Sequence, residues 1–503
     1  MKRRQFIQAF GALGALASVP NIFHNQSFIR SAHAALTQSM IDTAGFVAPA
    51  RLPQIINVFL YGGPSELAGN LTNIADINAN SQNPYTVVSP NILKLSNDVT
   101  GGQITRHGFW LDAGGQAMED MLATGDMTIY RTINRRKDNT LAHRNSIFSS
   151  QKGTLDIEMS GGVGTTIASV LYANKNILDG SALLGGRQLE EMILPFVSFE
   201  GDSTAFAADA TPGAILLPLQ LRSVSLDQNF ANPYARAGGI ADQAALDALV
   251  NKMTAVGNTR FQKVSDSFSS RASLEPRIAG LQANLVASLP NIGIGATDAD
   301  VNGVLTYPVN SFSQRMKAAV TLAMQNPDSL YISIGGSLGG WDDHDNAIEK
   351  YEQRMTDLMT TLRVAAKHIR LGLRPGNISS NNIIINVHGD FGRNVNLNGS
   401  LGWDHGNNQN FYTIGGAGVR QGGVAALGKI VGKTERFGNT AENRQFTRPT
   451  DDSYEAEPMS IAATVYKYFG VQNPSILTAS ADMNDPEGSS PLDETVGGEP
   501  ALF

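Results

Sequence analysis

Residues 383–390 of this 503-residue chain read IIINVHGD, and this stretch decides the fold. Its first five residues are almost all β-branched and apolar, and a glycine with polar neighbours follows at once. A strand that is apolar at successive positions, without alternation, is typical of a parallel sheet covered on both faces. Similar runs occur at residues 55–60, 127–130, 330–334 and 411–414, each beside polar or glycine-rich residues. We therefore predict a mostly parallel central sheet.

Segments with helical periodicity separate these runs. Between Ile348 and Ile369, apolar residues recur at every third or fourth position, and Gly372 follows as a stop signal. Residues 461–469 predict another helix, with Ser460 as its N-cap. Strands that alternate with helices predict an α/β fold, here a three-layer α/β/α sandwich.

One large domain is expected over residues 52–475, because the chain is long enough to bury a sizeable core. Residues 240–325 are rich in alanine and lack strong strands, so they predict a helical insertion. Residues 476–503 are polar and predict a C-terminal tail.

Residues 1–34 have the form of an export signal. Arg3 and Arg4 precede a short apolar stretch, and the small-residue site Ala32-His33-Ala34 follows it. This order is that of a secretory signal of the twin-arginine type, with Ala35 as the first mature residue. The apolar stretch is shorter than the roughly 20 residues that span a membrane. We expect export of the folded protein to the periplasm or beyond, with no membrane span after signal removal.

The composition excludes several classes of function. There are no cysteines, which excludes disulfides, thiolate metal sites and a cysteine nucleophile. The formal charge of the whole chain is −7; residues 1–34 carry four basic and no acidic residues, so the mature chain is at −11. An acidic chain without basic clusters argues against a nucleic-acid partner.

Polar groups gather in the loops beside the predicted strands, and ligands of open α/β sheets bind beyond the carboxyl ends of the strands. Imidazole and carboxylate groups on one rim suit a divalent metal such as zinc, manganese or calcium. The metal-ligand candidates in these loops are His143, Asp342, His344, Asp390 and His405. The alternative for each residue is a structural role, since aspartate in particular commonly caps a helix.

A set of short motifs lies in a defined order along the chain. They are GGPS at 62–65, His143 ten residues before Gly153, GGWDDH at 339–344, GDFGR at 389–393, DHG at 404–406, GGAGV at 415–419 and a late helix from Ile461 to Gly470. Their order and spacing, from roughly Leu52 to Val471, resemble domain-of-unknown-function family 1501. That family is similar to the alkaline phosphatase and sulfatase superfamily, so the resemblance implies an α/β/α sandwich with metal ligands on the rim of the sheet.

The resemblance also implies a ligand order, which Asp342 with His344, then Asp390, then His405 reproduce. Some family members place a histidine and an aspartate shortly after GGPS, where this chain has Glu66 and Ala68. Ala68 cannot bind a metal, because its methyl side chain has no donor atom.

No clear counterpart of the superfamily's nucleophile exists in this sequence. Ser65 and Ser146 lie near the appropriate loops and are the candidates. The chain lacks the Ser-x-Pro-x-Arg or Cys-x-Pro-x-Arg sequence of sulfatases, which argues against that activity. Arg393 is a third catalytic candidate, because a guanidinium can hold a phosphate, sulfate or carboxylate bidentately. Its alternative is a structural ion pair.

Two main hypotheses follow, with a slight preference for the first. The first is a metal-dependent hydrolase of phosphoesters or related esters in small molecules or polymers, in which a metal-activated water could replace the missing nucleophile. The second is a non-catalytic envelope protein that uses the same scaffold to bind a polymer or another exported protein. A structural metal site that holds the loops without turnover is a third, weaker alternative.

Overall fold

The computed structural model describes most of the chain after residue 35. The described ranges are 36–64, 105–138, 141–210, 213–230, 306–398, 400, 402–437, 446–480 and 485–501, with short pieces between 245 and 285. The predicted signal at 1–34 lies outside these ranges, and so does most of the predicted insertion before residue 306.

An eight-stranded sheet forms the centre of the described structure. The strands of the chain are β1 (Gln54–Leu60), β2 (Met127–Asn134), β3 (Phe196–Ser198), β4 (Val224–Ser225), β5 (Tyr331–Gly335), β6 (Ile383–Gly389), β7 (Gly392–Leu397), β8 (Trp403–Gly406), β9 (Asn408–Gly415), β10 (Ile430–Val431), β11 (Thr434–Phe437) and β12 (Phe446–Pro449). The sheet order is β10-β2-β9-β6-β1-β5-β3-β4, and β7–β8 and β11–β12 form two separate antiparallel ribbons.

Nine α-helices lie in the longer described ranges, outside the short pieces between 245 and 285. They are α1 (Gln38–Ala44), α2 (Gly115–Ala123), α3 (His143–Lys152), α4 (Val163–Ala173), α5 (Lys175–Leu178), α6 (Ser311–Gln325), α7 (Ala347–Leu371), α8 (Pro458–Tyr468) and α9 (Ser475–Thr478). Within the described ranges, no helix is both long enough and apolar enough to cross a membrane.

Helices cover both faces of the sheet. Ile56 and Val58 of β1 belong to an apolar cluster with α2, α6 and α7, whereas their neighbour Ile55 belongs to a second cluster with α1, α4 and α8. Successive side chains of a strand point to opposite faces, so both faces of this strand are buried. All seven residues of β1 and of β6 are buried, as their continuous apolar sequence predicts. The predicted α/β fold with a mostly parallel sheet is confirmed.

One strand departs from the parallel arrangement. The run at 411–414 lies in β9, which is antiparallel to both of its neighbours, β2 and β6. Every other neighbouring pair of the sheet is parallel. An apolar run reports burial on both faces but carries no information about strand direction.

Two regions in the C-terminal part of the chain differ in detail from what the sequence predicts. The helix predicted at 461–469 begins at Pro458, so Ser460 lies inside it and Glu457 is the N-cap. Proline suits the first turn because its fixed φ matches the helix and no N–H is needed there. In the C-terminal region, Leu492 and Glu494 are buried, so the described part of the polar tail packs against the domain.

Candidate metal centre

Four side chains converge at the carboxyl edge of the sheet: His143, Asp342, His344 and His405. Their candidate ligand atoms all lie within 4.8 Å of one another, and the group could hold a metal ion. Four of the five metal-ligand candidates from the sequence are thus brought together.

Different elements bring these residues to one edge. His143 is the first residue of α3, which follows β2. Asp342 and His344 lie in the loop between β5 and α7. His405 lies in β8, directly before β9. Because β9 is antiparallel, its start is at the same edge as the ends of the parallel strands.

Each of the three histidines has its Nδ1 atom held by an oxygen. The distances are 2.7 Å from His143 to Asp390 Oδ2, 3.2 Å from His344 to Asp404 Oδ1, and 2.8 Å from His405 to the carbonyl oxygen of Leu141. A carboxylate or carbonyl oxygen only accepts, so Nδ1 carries the proton and Nε2 of the neutral ring keeps its lone pair. Metal-ligating histidines are held by acceptors in this way.

The three Nε2 atoms surround one carboxylate oxygen, Asp342 Oδ1. It lies 2.9 Å from Nε2 of His344, 3.2 Å from that of His143 and 3.5 Å from that of His405. The Nε2 atoms of His344 and His405 are themselves 2.9 Å apart. Two nitrogen lone pairs at this distance repel each other unless a proton or a cation lies between them.

His143 provides the sharpest test of whether a metal fits. Its Nε2 is buried and has no hydrogen-bond partner among the described residues, because the nearby Asp342 oxygen is not in hydrogen-bond geometry. A buried polar atom normally has a partner. An orphaned nitrogen beside two further imidazoles and a carboxylate fits the ligand set of a transition metal.

Asp390, the fifth predicted ligand, stands behind His143. Its carboxylate has no exposed surface; Oδ1 accepts the N–H of Gly62 at 3.0 Å, and Oδ2 accepts Nδ1–H of His143. In this position Asp390 orients the ring of His143 and lies outside the four converging groups.

Arg393 is buried beneath the centre and links three loops. Its N–H groups donate to the carbonyl oxygens of Gly62, of Gly63 at 2.8 Å, of Trp341 at 3.1 Å and of Trp403 at 2.9 Å, and to Asp342 Oδ1 at 2.8 Å. The guanidinium therefore fixes the loops that carry the candidate ligands. Its predicted role as an anion-binding catalytic group stays a prediction.

The charges around the centre set the protonation of its members. Burial opposes ionisation of Asp342, but the hydrogen bond and charge of Arg393, with the neighbouring histidines, lower the pKa of Asp342 to about 2. The hydrogen bond with Asp390 raises the pKa of His143. Burial and the charge of Arg393 lower the pKa of His405. At neutral pH, Asp342 is thus an anion that can bind a cation.

Aromatic rings form the wall of the centre. The ring of Phe391 packs on both His143 and His405, at centroid distances of 4.7 and 4.4 Å. Trp341 and Trp403 are buried and pack edge-on against Tyr351 in the core. The two tryptophans therefore support, from the side of the core, the segments that carry Asp342 and His405. They do not cover the solvent-facing side of the centre.

The two serine candidates have different outcomes. Ser65 lies outside the described residues. Ser146 is in the first turn of α3, three residues after His143, and has no exposed surface. Its role as a nucleophile stays a prediction. Burial argues against that role, because the hydroxyl group does not face the solvent side.

Some members of the site were not predicted as functional residues. Asp404 binds Nδ1 of His344, and Asn398 donates to both the Asp404 carboxylate and the His344 carbonyl at 3.2 and 3.0 Å. The position of Asp404 directly before His405 was the available signal. The role of the Leu141 carbonyl oxygen cannot be predicted from sequence, because every residue has a backbone carbonyl group.

The fold and these contacts define an α/β protein with a candidate metal centre at the carboxyl edge of its sheet. Residues 289–452 match the model of a family described as a protein of unknown function, DUF1501. This match supports the resemblance seen in the motifs, and its segment contains Asp342, His344, Asp390 and His405. Comparison with curated proteins gives no match.

Proposed function

We propose that the protein is an exported, metal-dependent hydrolase of phosphoesters or related esters with an alkaline-phosphatase-like scaffold. The observation that carries the proposal is the convergence of three imidazole Nε2 atoms and one carboxylate at the carboxyl edge of the sheet. Ligands of open α/β sheets bind at this edge.

The donor set favours zinc over manganese and calcium. Three nitrogen donors and one carboxylate suit Zn²⁺, whereas Ca²⁺ takes about six to eight oxygen ligands and Mn²⁺ prefers oxygen donors. His143, Asp342, His344 and His405 would hold the ion. A divalent ion at these ligands would supply Lewis acidity toward a phosphoryl or carbonyl oxygen and toward water.

The chain's own residues prepare this centre for a substrate. Arg393 keeps Asp342 ionised, and Asp390 holds the ring of His143 so that Nε2 faces the other ligands. The side chains of Asp342 and His344 are 47% and 42% exposed, so the centre is open to a ligand from solution.

The start of α3 favours an anionic substrate over a neutral one. His143 is the first residue of this helix, and the preceding residue, Ala142, provides no side-chain cap. The amino terminus of a helix carries a partial positive charge and free N–H groups, which attract phosphate. A phosphoester therefore suits the centre better than a neutral carboxylic ester.

A non-catalytic role is the second candidate, and two observations favour it. Ser146 is buried, and the N–H groups of Arg393 point at protein oxygen atoms. On this alternative the same four side chains hold a structural ion, and the exported protein binds a polymer or a protein partner through its surface.

Elemental analysis of the purified exported protein tests the metal proposal. We expect about one zinc ion per chain in the wild type and its loss in Asp342→Asn. Asp345→Asn is the matched control, because Asp345 lies in the same loop but outside the four converging groups, with its carboxylate 3.6 Å from Nζ of the exposed Lys350. Equal metal content in the two variants, or none in the wild type, would contradict the proposed centre.

Hydrolysis assays separate the two candidate functions. We expect turnover of aryl phosphate mono- or diesters by the zinc-loaded wild type, and a loss of at least about 100-fold in Asp342→Asn, as for the removal of a catalytic metal ligand. Stoichiometric zinc without turnover of phosphate or carboxylic esters would favour the non-catalytic role.

A further inference from the structure

Arg135 is a buried arginine that directly follows β2. Its guanidinium donates four hydrogen bonds to oxygen atoms of the chain. The acceptors are the carbonyl oxygens of Asp390 at 2.8 Å and Ser146 at 2.9 Å, and the hydroxyl oxygens of Ser149 at 3.0 Å and Ser150 at 2.7 Å. These hydrogen bonds join the end of β2 to α3 and to the segment that follows β6.

The face of α3 that meets this guanidinium is polar. Ser146, Ser149 and Ser150 are all buried. Burial lowers the pKa of Arg135 to about 10, so the group is charged at neutral pH, and its partner in an ion pair is Asp138 at 3.6 Å. Apolar residues of similar size commonly stabilise a core as well as a buried ion pair does. The planar guanidinium therefore supplies something other than stability, namely fixed directions for its hydrogen bonds.

Both partners of one contact in the candidate centre are held by Arg135. Asp390 accepts Nδ1–H of His143 through its carboxylate, at 2.7 Å, and accepts from Arg135 through its backbone carbonyl. Ser146, whose carbonyl also binds the guanidinium, lies about one helical turn after His143. The backbone N–H of Arg135 donates to the carbonyl of Asn407 at 3.2 Å, at the junction of β8 and β9. One rigid group thus sets how α3 lies relative to the Asp390 carboxylate.

We propose that Arg135 is a positioning residue, which holds the ring of His143 against Asp390 and so directs Nε2 of His143 toward the centre. Its hydrogen bonds end on oxygen atoms outside the four converging groups, so it acts on the centre through Asp390 and α3. The contact between His143 and Asp390 belongs to the metal-free protein. The effect of Arg135 on zinc affinity rests on the proposed function.

The first test compares Arg135→Lys with Arg131→Lys in the purified, metal-free protein. Lysine keeps the positive charge but replaces the planar fork by a single ammonium group. Arg131 is the matched control, because it lies in β2 and is equally buried, but its guanidinium donates to the carbonyl of His107 at 3.0 Å. In protein with ¹⁵N-labelled histidine, NMR detects the Nδ1 proton of His143 while Asp390 accepts it. The signal is assigned by its loss in His143→Gln.

We expect the Nδ1 proton of His143 to exchange with water at least about 10-fold faster in Arg135→Lys, because a hydrogen bond to a charged acceptor is weakened. The same signal should persist in Arg131→Lys. Competition with a chelator then measures the zinc affinity. Arg135→Lys should bind zinc about 10-fold more weakly than the wild type, the lower end for an outer partner of a metal ligand. Arg131→Lys should stay within about twofold of the wild type.

A double variant separates positioning from a general loss of stability. If Arg135 acts through Asp390, Arg135→Lys combined with Asp390→Asn should bind zinc within about twofold of Asp390→Asn alone, because both substitutions break the same contact. A further loss of about 10-fold in the double variant would overturn the inference, since independent effects add. An unchanged His143 proton signal in folded Arg135→Lys would overturn it as well.

A second variant keeps the test available if Arg135→Lys does not fold. Ser149→Ala combined with Ser150→Ala removes two acceptors of the guanidinium and keeps its charge. The His143 proton should again exchange faster, and an unchanged signal would contradict the role of Arg135. Failure of the proposed function is distinguishable from these results: a wild type without zinc contradicts the metal centre, whereas the proton signal of the metal-free protein still decides whether Arg135 positions His143.

Discussion

Replacing Asp390 by asparagine tests whether the converging histidines form a metal centre. The Asp390 carboxylate accepts one hydrogen bond on each oxygen, from the N–H of Gly62 and from Nδ1–H of His143. An amide has only one oxygen, so one of these two donors must face the NH₂ group of the variant. Asp390 is fully buried, so the donor that loses its acceptor does not face solvent.

The expected magnitude has two parts. Loss of an acceptor behind a ligating histidine typically weakens metal binding about 10- to 100-fold, which is about 1.4–2.7 kcal/mol. A buried donor without a partner also destabilises the fold by about 1–3 kcal/mol in the absence of metal. We expect both effects in Asp390→Asn.

Competition with a chromophoric chelator measures the zinc affinity, and urea unfolding without metal measures the stability. Asp404→Asn is the matched control, because the hydrogen bonds from His344 and Asn398 both reach Oδ1 of Asp404 and one amide oxygen can accept them. Its affinity loss should be clearly smaller. If folded Asp390→Asn binds zinc within about twofold of the wild type, the proposed role of His143 is wrong.

Three further predictions concern stability. Zinc at 100 times its dissociation constant should raise the unfolding free energy of the wild type by about 2.7 kcal/mol, and calorimetry should show no such gain in His405→Ala. Gly63→Ala places a Cβ 2.4 Å from the Phe391 carbonyl oxygen at φ +69°, whereas the Cβ of Gly125→Ala, at φ +70°, meets nothing within 4 Å. The unfolding free energy measured in urea should therefore fall by about 1–3 kcal/mol more in Gly63→Ala than in Gly125→Ala. Equal losses in the two variants would contradict the close approach at Gly63. Burial lowers the pKa of His368 to about 4, so this histidine takes up a proton at about pH 6.5 in the unfolded chain but not in the folded one. The unfolding free energy should therefore fall by up to about 1.4 kcal/mol per pH unit as the pH drops from 6.5 toward 4. The same dependence of the unfolding free energy on pH in His368→Gln would refute this.

Much of the fold was predictable from local patterns. The continuous apolar run in β6 predicts a strand buried on both faces, and the three-to-four-residue periodicity after Ile348 predicts the long helix α7, which spans Ala347–Leu371. Such patterns report which side chains leave water, and this is a property of the sequence alone. The start of α8 was misplaced because Pro458 could begin the helix before Ser460.

The sequence by itself determined the chemistry available to the site: imidazoles and carboxylates beside the predicted strands, with no thiolates. The tertiary structure decided how these groups are arranged. The antiparallel direction of β9 brings His405 to the ligand edge, and packing sets Asp390 behind His143 and the carbonyl of Leu141 against His405. Strand direction and the pairing of distant atoms depend on how the whole chain packs, so no local pattern contains them.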